Sequence, residues 1–192
     1  KQYPRFHPKS PKSQKLMLKE MQMNNNLSYQ YIQRLASLKD GELAILRTLQ
    51  YKPLDSELKG FDLFTALWWP LREAGKHAPR REIAWLIAKL YASIKIPHKQ
   101  DAKLSVLLGS LYYKTLHKDE KKADQIMSLN DKLLSLPIYA LEPTLNKCLG
   151  LIKKDFDALD WVWLIDTISA WEVPSVRERW AEDFINQYKA IS

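Results

Sequence analysis

Basic residues recur in this chain at helical spacing. Arg72, Lys76 and Arg80 step by four, as do Lys99 and Lys103, while Lys114, Lys118 and Lys121/Lys122 step by four and then three. Residues three and four apart share a helix face, so each series forms a cationic ridge. Such ridges suit a nucleic-acid backbone, which presents phosphates at a regular pitch. A single lysine of this kind equally fits a solvated helix face. Arg80-Arg81 is a sharper signal, because it follows Pro79 at a predicted helix start. A guanidinium forks phosphate oxygens in a way an ammonium cannot, and a helix N-terminus adds favourable potential for an anion. Tyr112 and Tyr113 stand beside the last ridge.

Other chemistry finds less support. His7, His77, His98 and His117 are scattered, with no HExxH, CxxC or GxxxxGK[ST] motif, so no metal or cofactor is expected. Asp155, Asp157 and Asp160 resemble a carboxylate cluster. Asp157 and Asp160 fall at a predicted helix start, where acids cap free N–H groups. Cys148 lies among Leu145, Leu149 and Ile152 and reads as core. Glu182 and Asp183 follow Arg177 and Arg179 closely enough for helical ion pairs. No motif flanks a nucleophile, and the reading is non-enzymatic.

The 192 residues suffice for one domain or two small helical lobes. Five glycines are few for a turn-rich β fold. One cysteine precludes an internal disulfide and fits a reducing cytoplasm. No apolar run approaches the ~18 residues of a membrane span, and no apolar segment behind the basic N-terminus suggests a secretory signal. Net charge is +8, unevenly spread. Residues 1–19 carry six basic and no acidic side chains, and are expected to form a disordered arm. Residues 72–122 hold twelve basic against five acidic residues, whereas 155–192 hold three against eight. Basic and acidic regions are therefore segregated, giving an oriented field.

The elements that must position these charges are helices. Tyr31, Ile32, Leu35 and Leu38 mark a first helix from about Ser28, and Glu42–Gln50 a second. Pro53–Gly60 reads as a loop, Phe61–Gly75 as a third helix kinked at Pro70, and Arg80–Ile94 as a fourth. Ile96-Pro97-His98-Lys99-Gln100 is a linker and a candidate lobe boundary near 96–101. Ala102–Leu116, with a close-packing Gly109, and Glu120–Leu134 follow. A broken helix lies between Pro137 and Lys154. Residues 160–187 hold four of the seven tryptophans. Trp161, Leu164, Ile165, Ile168 and Trp171 share one face. Val176, Trp180, Phe184 and Tyr188 share another, beyond Pro174. The expected fold is all-α: a compact bundle of about eight or nine helices spanning 20–192.

Several segments, in order, resemble the CasB family, the small subunit of the type I-E CRISPR Cascade complex. Gly41 to Arg47 is similar to its G-x-x-A-x-L-R segment. Phe61–Trp69 and Pro79-Arg80 resemble an apolar helix and the proline-led helix after it. Leu107-Leu108-Gly109 matches an LG helix. Asp119-Glu120-Lys121-Lys122 stands where the family usually has E-R-R-F. Asp160–Trp171 and Trp180–Phe184 resemble D-W-x-x-L-x-x-D-L-x-x-W and W-x-x-x-F. The resemblance covers roughly residues 28–188. It implies a non-catalytic protein that touches the target and displaced DNA strands, the crRNA-containing backbone subunits and large subunit, and a second copy of itself, stabilising the R-loop. Arg47, Arg80, Lys121, Lys122, Arg177 and Arg179 fall on basic positions of those motifs, with Lys147 on a looser match. Arg81 and Lys99 join them from the spacing argument above. Arg177 and Arg179 are expected together on the outer face of the last helix, with the acids around them facing solvent or a neighbouring subunit. The competing readings are a helical protein–protein adaptor with a basic surface and a small helical enzyme.

Overall fold

The computed structural model describes residues 26–190. The expected N-terminal arm lies outside them. Among the described residues there are nine α-helices, and the one β contact is an isolated bridge between His98 and Leu159. The helices are α1 (Leu27–Ala36), α2 (Asp40–Thr48), α3 (Leu58–Ala74), α4 (Arg81–Ile94), α5 (Leu104–Thr115), α6 (Glu120–Ser135), α7 (Glu142–Ile152), α8 (Trp161–Ser169) and α9 (Pro174–Ile185).

Helix α4 is the axis. From Ile83 to Ile94 all its residues are buried except Ser93, as expected of a helix surrounded by others. It packs on α2, α3, α7 and α8. On one side α3 packs against both α1 and α2. Helices α5, α6, α7 and α9 form the other, where α5 touches α6, α7 and α9. Gly109 permits the α5–α9 approach, because a Cβ there would collide with the Phe184 carbonyl.

The tryptophan-rich stretch forms the expected corner. Trp161, Leu164, Ile165, Ile168 and Trp171 are all buried, each burial worth roughly 1.5–3 kcal/mol. Pro174 opens α9 at its first turn, where a missing N–H costs nothing. Trp180 meets Trp171 edge-on at 5.5 Å between ring centres and donates to Asn130 Oδ1 at 3.0 Å. Asp160 caps α8 by accepting from the Trp163 N–H at 2.9 Å. Asp157, expected to share that role, is exposed in the turn upstream. Cys148 is buried as expected, and burial pushes its thiol up to about 12.

The 96–101 linker is pinned to the start of α8. Leu159 N–H donates to the Pro97 carbonyl and Lys99 N–H to the Leu159 carbonyl, both at 3.0 Å. Asp101 N–H donates to Asp160 Oδ2 at 2.8 Å, and Trp161 Nε1 to the Ile96 carbonyl at 2.8 Å. Helix α3 departs from the sequence expectation. It begins at Leu58 and carries Gly60 inside it, against Leu49. As expected, it continues through Pro70 as one helix.

Candidate nucleic-acid interface

Six of the sequence-expected basic residues fall in three places, the start of α4, the start of α6 and α9, while Arg47, Lys99 and Lys147 stand apart from them. Arg80 and Arg81 open α4. Arg80 is exposed and lies 3.7 Å from Glu172. Arg81 sits over the Phe61 ring at 5.9 Å and has no carboxylate partner among the described residues. Arg47 is exposed in the last turn of α2, where its charge helps Lys95 hold the Asp40 carboxyl below its ordinary range, the Lys95 hydrogen bond being the main cause. Lys99 is exposed on the pinned strap.

The second place is the end of the bundle where α5 finishes, α6 starts and α7 runs into the 153–157 turn. Lys122 Nζ lies 3.3 Å from Asp155 Oδ2. Lys114 Nζ stands over the Phe156 ring at 5.3 Å. These two contacts bring the turn that carries Lys153 and Lys154, which precede Asp155 in the chain, to the end of the bundle where Lys118 and Lys121 lie. Lys114, Lys118, Lys121, Lys153 and Lys154 are all exposed. Asp119 caps α6 by accepting the Lys122 N–H at 3.0 Å. Lys153 and Lys154 are new to the candidate site. Their signal in the sequence is a lysine pair just after a helix, which means little until Asp155 is seen to meet Lys122. Lys147 is exposed on α7.

The third place is α9, where the expected pair of outward arginines divides. Residues two apart on a helix point about 200° apart. Arg177 is half-buried and donates to the Leu134 carbonyl at 3.4 Å. Arg179 is exposed and donates to the Ser175 carbonyl of its own helix at 3.2 Å. Neither has a carboxylate within ion-pair distance among the described residues, so the expected helical pairs do not form. Asp183 instead turns to α5, where Lys103 Nζ lies at 3.5 Å and Ser105 Oγ donates at 3.1 Å. Asp166 on α8 accepts from Ser28 Oγ at 2.6 Å. Its carboxyl is raised above the ordinary range by burial, against the lowering effect of that hydrogen bond, with Asp160 adding to the rise.

No described helix is long and apolar enough to cross a membrane, and no group of three or more potential metal ligands is found among the described residues.

A family model for the CRISPR-associated protein Cse2 matches residues 42–184. Solved structures share the fold at low identity. CasB from M. ruber is 19% identical with a TM-score of 0.65, covering 86% of this chain and 97% of that one. A Cse2-family CRISPR-associated protein from Thermus thermophilus is 20% identical with a TM-score of 0.62, over 81% and 94% of the two chains. A chain of a CRISPR RNA-guided surveillance complex is 15% identical with a TM-score of 0.61, over 89% and 96%. No curated protein matches the chain.

Proposed function

The chain belongs to the CRISPR-associated Cse2 family, and from that premise we propose that it is a non-catalytic small subunit of a crRNA-guided surveillance complex, type I-E Cascade, holding DNA backbone and so stabilising the R-loop. The observation that carries this reading is the convergence of lysines from three helix ends on the 153–157 turn. A cluster of exposed ammonium groups answers to phosphate charge and not to base identity. That fits a guided system, in which base pairing reads sequence and protein holds backbone. Arg80, Arg81, Arg47, Lys99 and Lys147 supply further exposed cations for the same ligand. The partners are the target and displaced strands, the crRNA-containing backbone subunits and large subunit, and a second copy. The likeness to a chain of a surveillance complex supports that assembly.

The test is a joint substitution of Lys118, Lys121, Lys153 and Lys154 by Glu in the full chain. Binding of short single-stranded and duplex DNA is followed by fluorescence anisotropy across a salt series. Affinity at ~50 mM salt should fall by about a hundredfold, and the slope of log K against log salt should shrink by roughly 0.7–0.9 per lost phosphate contact. Unchanged affinity and slope, with an intact helical circular dichroism spectrum, would reject the assignment. In the assembled complex, Arg80→Glu with Arg81→Glu should weaken R-loop formation without unfolding the protein.

A further inference from the structure

We propose that the cleft between the 51–55 turn, the first turns of α4 and the 138–142 corner holds one unstacked base of a single-stranded nucleic acid. The inference rests on the nucleic-acid reading above and goes beyond it, because it assigns a site to a base and not to the backbone. The cleft has a volume of about 500 Å³, within the ~300–1,000 Å³ of pockets that take small ligands. Its floor is apolar, formed by Leu54, Ile83 and Leu86, with Trp85 beside them. Tyr51 and Tyr139 line it and are 57% and 91% exposed. Stacking on such rings is open to any base, since every base has a π-face.

The polar groups have the chemistry of a base edge. Lys89 lines the cleft but is only 3% exposed. Its ammonium donates to Glu142 Oε2 at 2.6 Å and to the Lys52 carbonyl at 3.1 Å. The same ammonium stands over the Trp85 ring at 5.3 Å, so Lys89 fixes the cleft wall between Glu142, the Lys52 carbonyl and Trp85. Asp55 and Glu82 also line the cleft and can accept from exocyclic amines. Arg81, without a carboxylate partner, can take the adjoining phosphate.

Two further features favour a base over a bare backbone. The lining charges balance, with Lys52, Arg81 and Lys89 against Asp55, Glu82 and Glu142. There is no positive excess of the kind found at the lysine turn. The walls are also held in place. Tyr51 N–H donates to Glu142 Oε1 at 2.9 Å, Asn146 Nδ2 to the Tyr51 hydroxyl at 2.9 Å, and Trp85 Nε1 to the Lys52 carbonyl at 3.1 Å. A preformed site loses little ordering entropy when a base enters.

Tyr139 is the residue to change, because its exposure makes misfolding on substitution remote. Full-chain protein, wild type or carrying Tyr139→Ala or Tyr139→Phe, is titrated with a short single-stranded oligonucleotide and with its abasic counterpart. The expected result is a roughly tenfold loss for Tyr139→Ala on the base-containing strand only, with Tyr139→Phe near wild type. An oligonucleotide bearing 5-iodouracil should crosslink, on irradiation, to the 138–142 segment or to Tyr51. If the wild type binds both strands equally, or Tyr139→Ala weakens neither, the base pocket is wrong while the backbone reading stands. If the wild type binds no single strand at ~50 mM salt, both fail. If Tyr139→Ala leaves oligonucleotide affinity intact but abolishes assembly with the other subunits, the proposal is overturned and the cleft belongs to a protein partner.

Discussion

The lysine turn and the tryptophan corner are built alike and use their charges differently. Each is a meeting of helix ends fixed by aromatic rings. At the turn, Lys114 rests on Phe156 and Lys122 on Asp155, and the neighbouring lysines are left exposed. At the corner, Arg177 satisfies the Leu134 carbonyl, Arg179 the Ser175 carbonyl and Lys103 the Asp183 carboxylate. At the corner the cations are engaged by backbone or carboxylate partners, whereas at the turn Lys118, Lys121, Lys153 and Lys154 are exposed with no ion pair among the described residues. Counting charges along the chain does not separate the two kinds.

The comparison can be broken most forcefully at its aromatic anchor. Trp180→Ala should cost about 3–5 kcal/mol of unfolding free energy, because the indole is buried, packs on Trp163 and Trp171 and bonds Asn130. Urea denaturation measures it, and a loss under ~1 kcal/mol would deny the corner its anchoring role. Arg177→Ala should cost about 0.5–1.5 kcal/mol and leave DNA affinity unchanged, the reverse of the lysine substitutions. A drop in DNA affinity with stability intact would erase the distinction between the two regions.

The smallest effect is that of Asp166→Asn. Burial raises the native carboxyl pKa, so folding favours the protonated form. That contribution to stability is fully present below the unfolded pKa, about 3.9, and is lost as pH rises through the native value. The Asn variant should therefore be slightly more stable than wild type at neutral pH, with the gap closing as the solution is acidified towards about pH 4. Asp166 is itself an exposed residue, and solvent screening keeps the effect small. Denaturant midpoints at the two pH values check it, and a gap that widens on acidification would give the shift the opposite sign.

Much of the fold was legible because its signals are local. The spacing of Trp161, Leu164, Ile165 and Ile168 selects one helix face, Pro174 opens the next helix and Asp160 announces a cap. The start of α3 was not legible for a specific reason. Gly60 reads as a breaker, yet it sits within the helix because Leu49 fills the space where a Cβ would be, and that partner is a tertiary fact. The site was legible in kind but not in membership. Lys121 and Lys122 stood out by spacing. Lys153 and Lys154 join them only through the Lys122–Asp155 and Lys114–Phe156 contacts. Arg177 and Arg179 looked equivalent because they are near neighbours in sequence. Helical rotation sends one to the Leu134 carbonyl and the other to solvent. The Tyr51–Tyr139 cleft left no local trace, since its two tyrosines come from distant parts of the chain.

The strap pinned to the start of α8 also sets an order of events during synthesis. Asp160 caps α8 and simultaneously takes the Asp101 N–H, 59 residues earlier. Trp161 closes on Ile96 and lies 5.2 Å from the Tyr91 ring on α4. As the chain leaves the ribosome, α4 therefore emerges with one flank bare. It must wait through the whole of α5, α6 and α7 for the tryptophan that covers it. The entropy of closing that loop grows only slowly with its length, but the exposed apolar flank persists for the entire interval. The flank of the central helix that Trp161 covers thus stays open until α8 has been made.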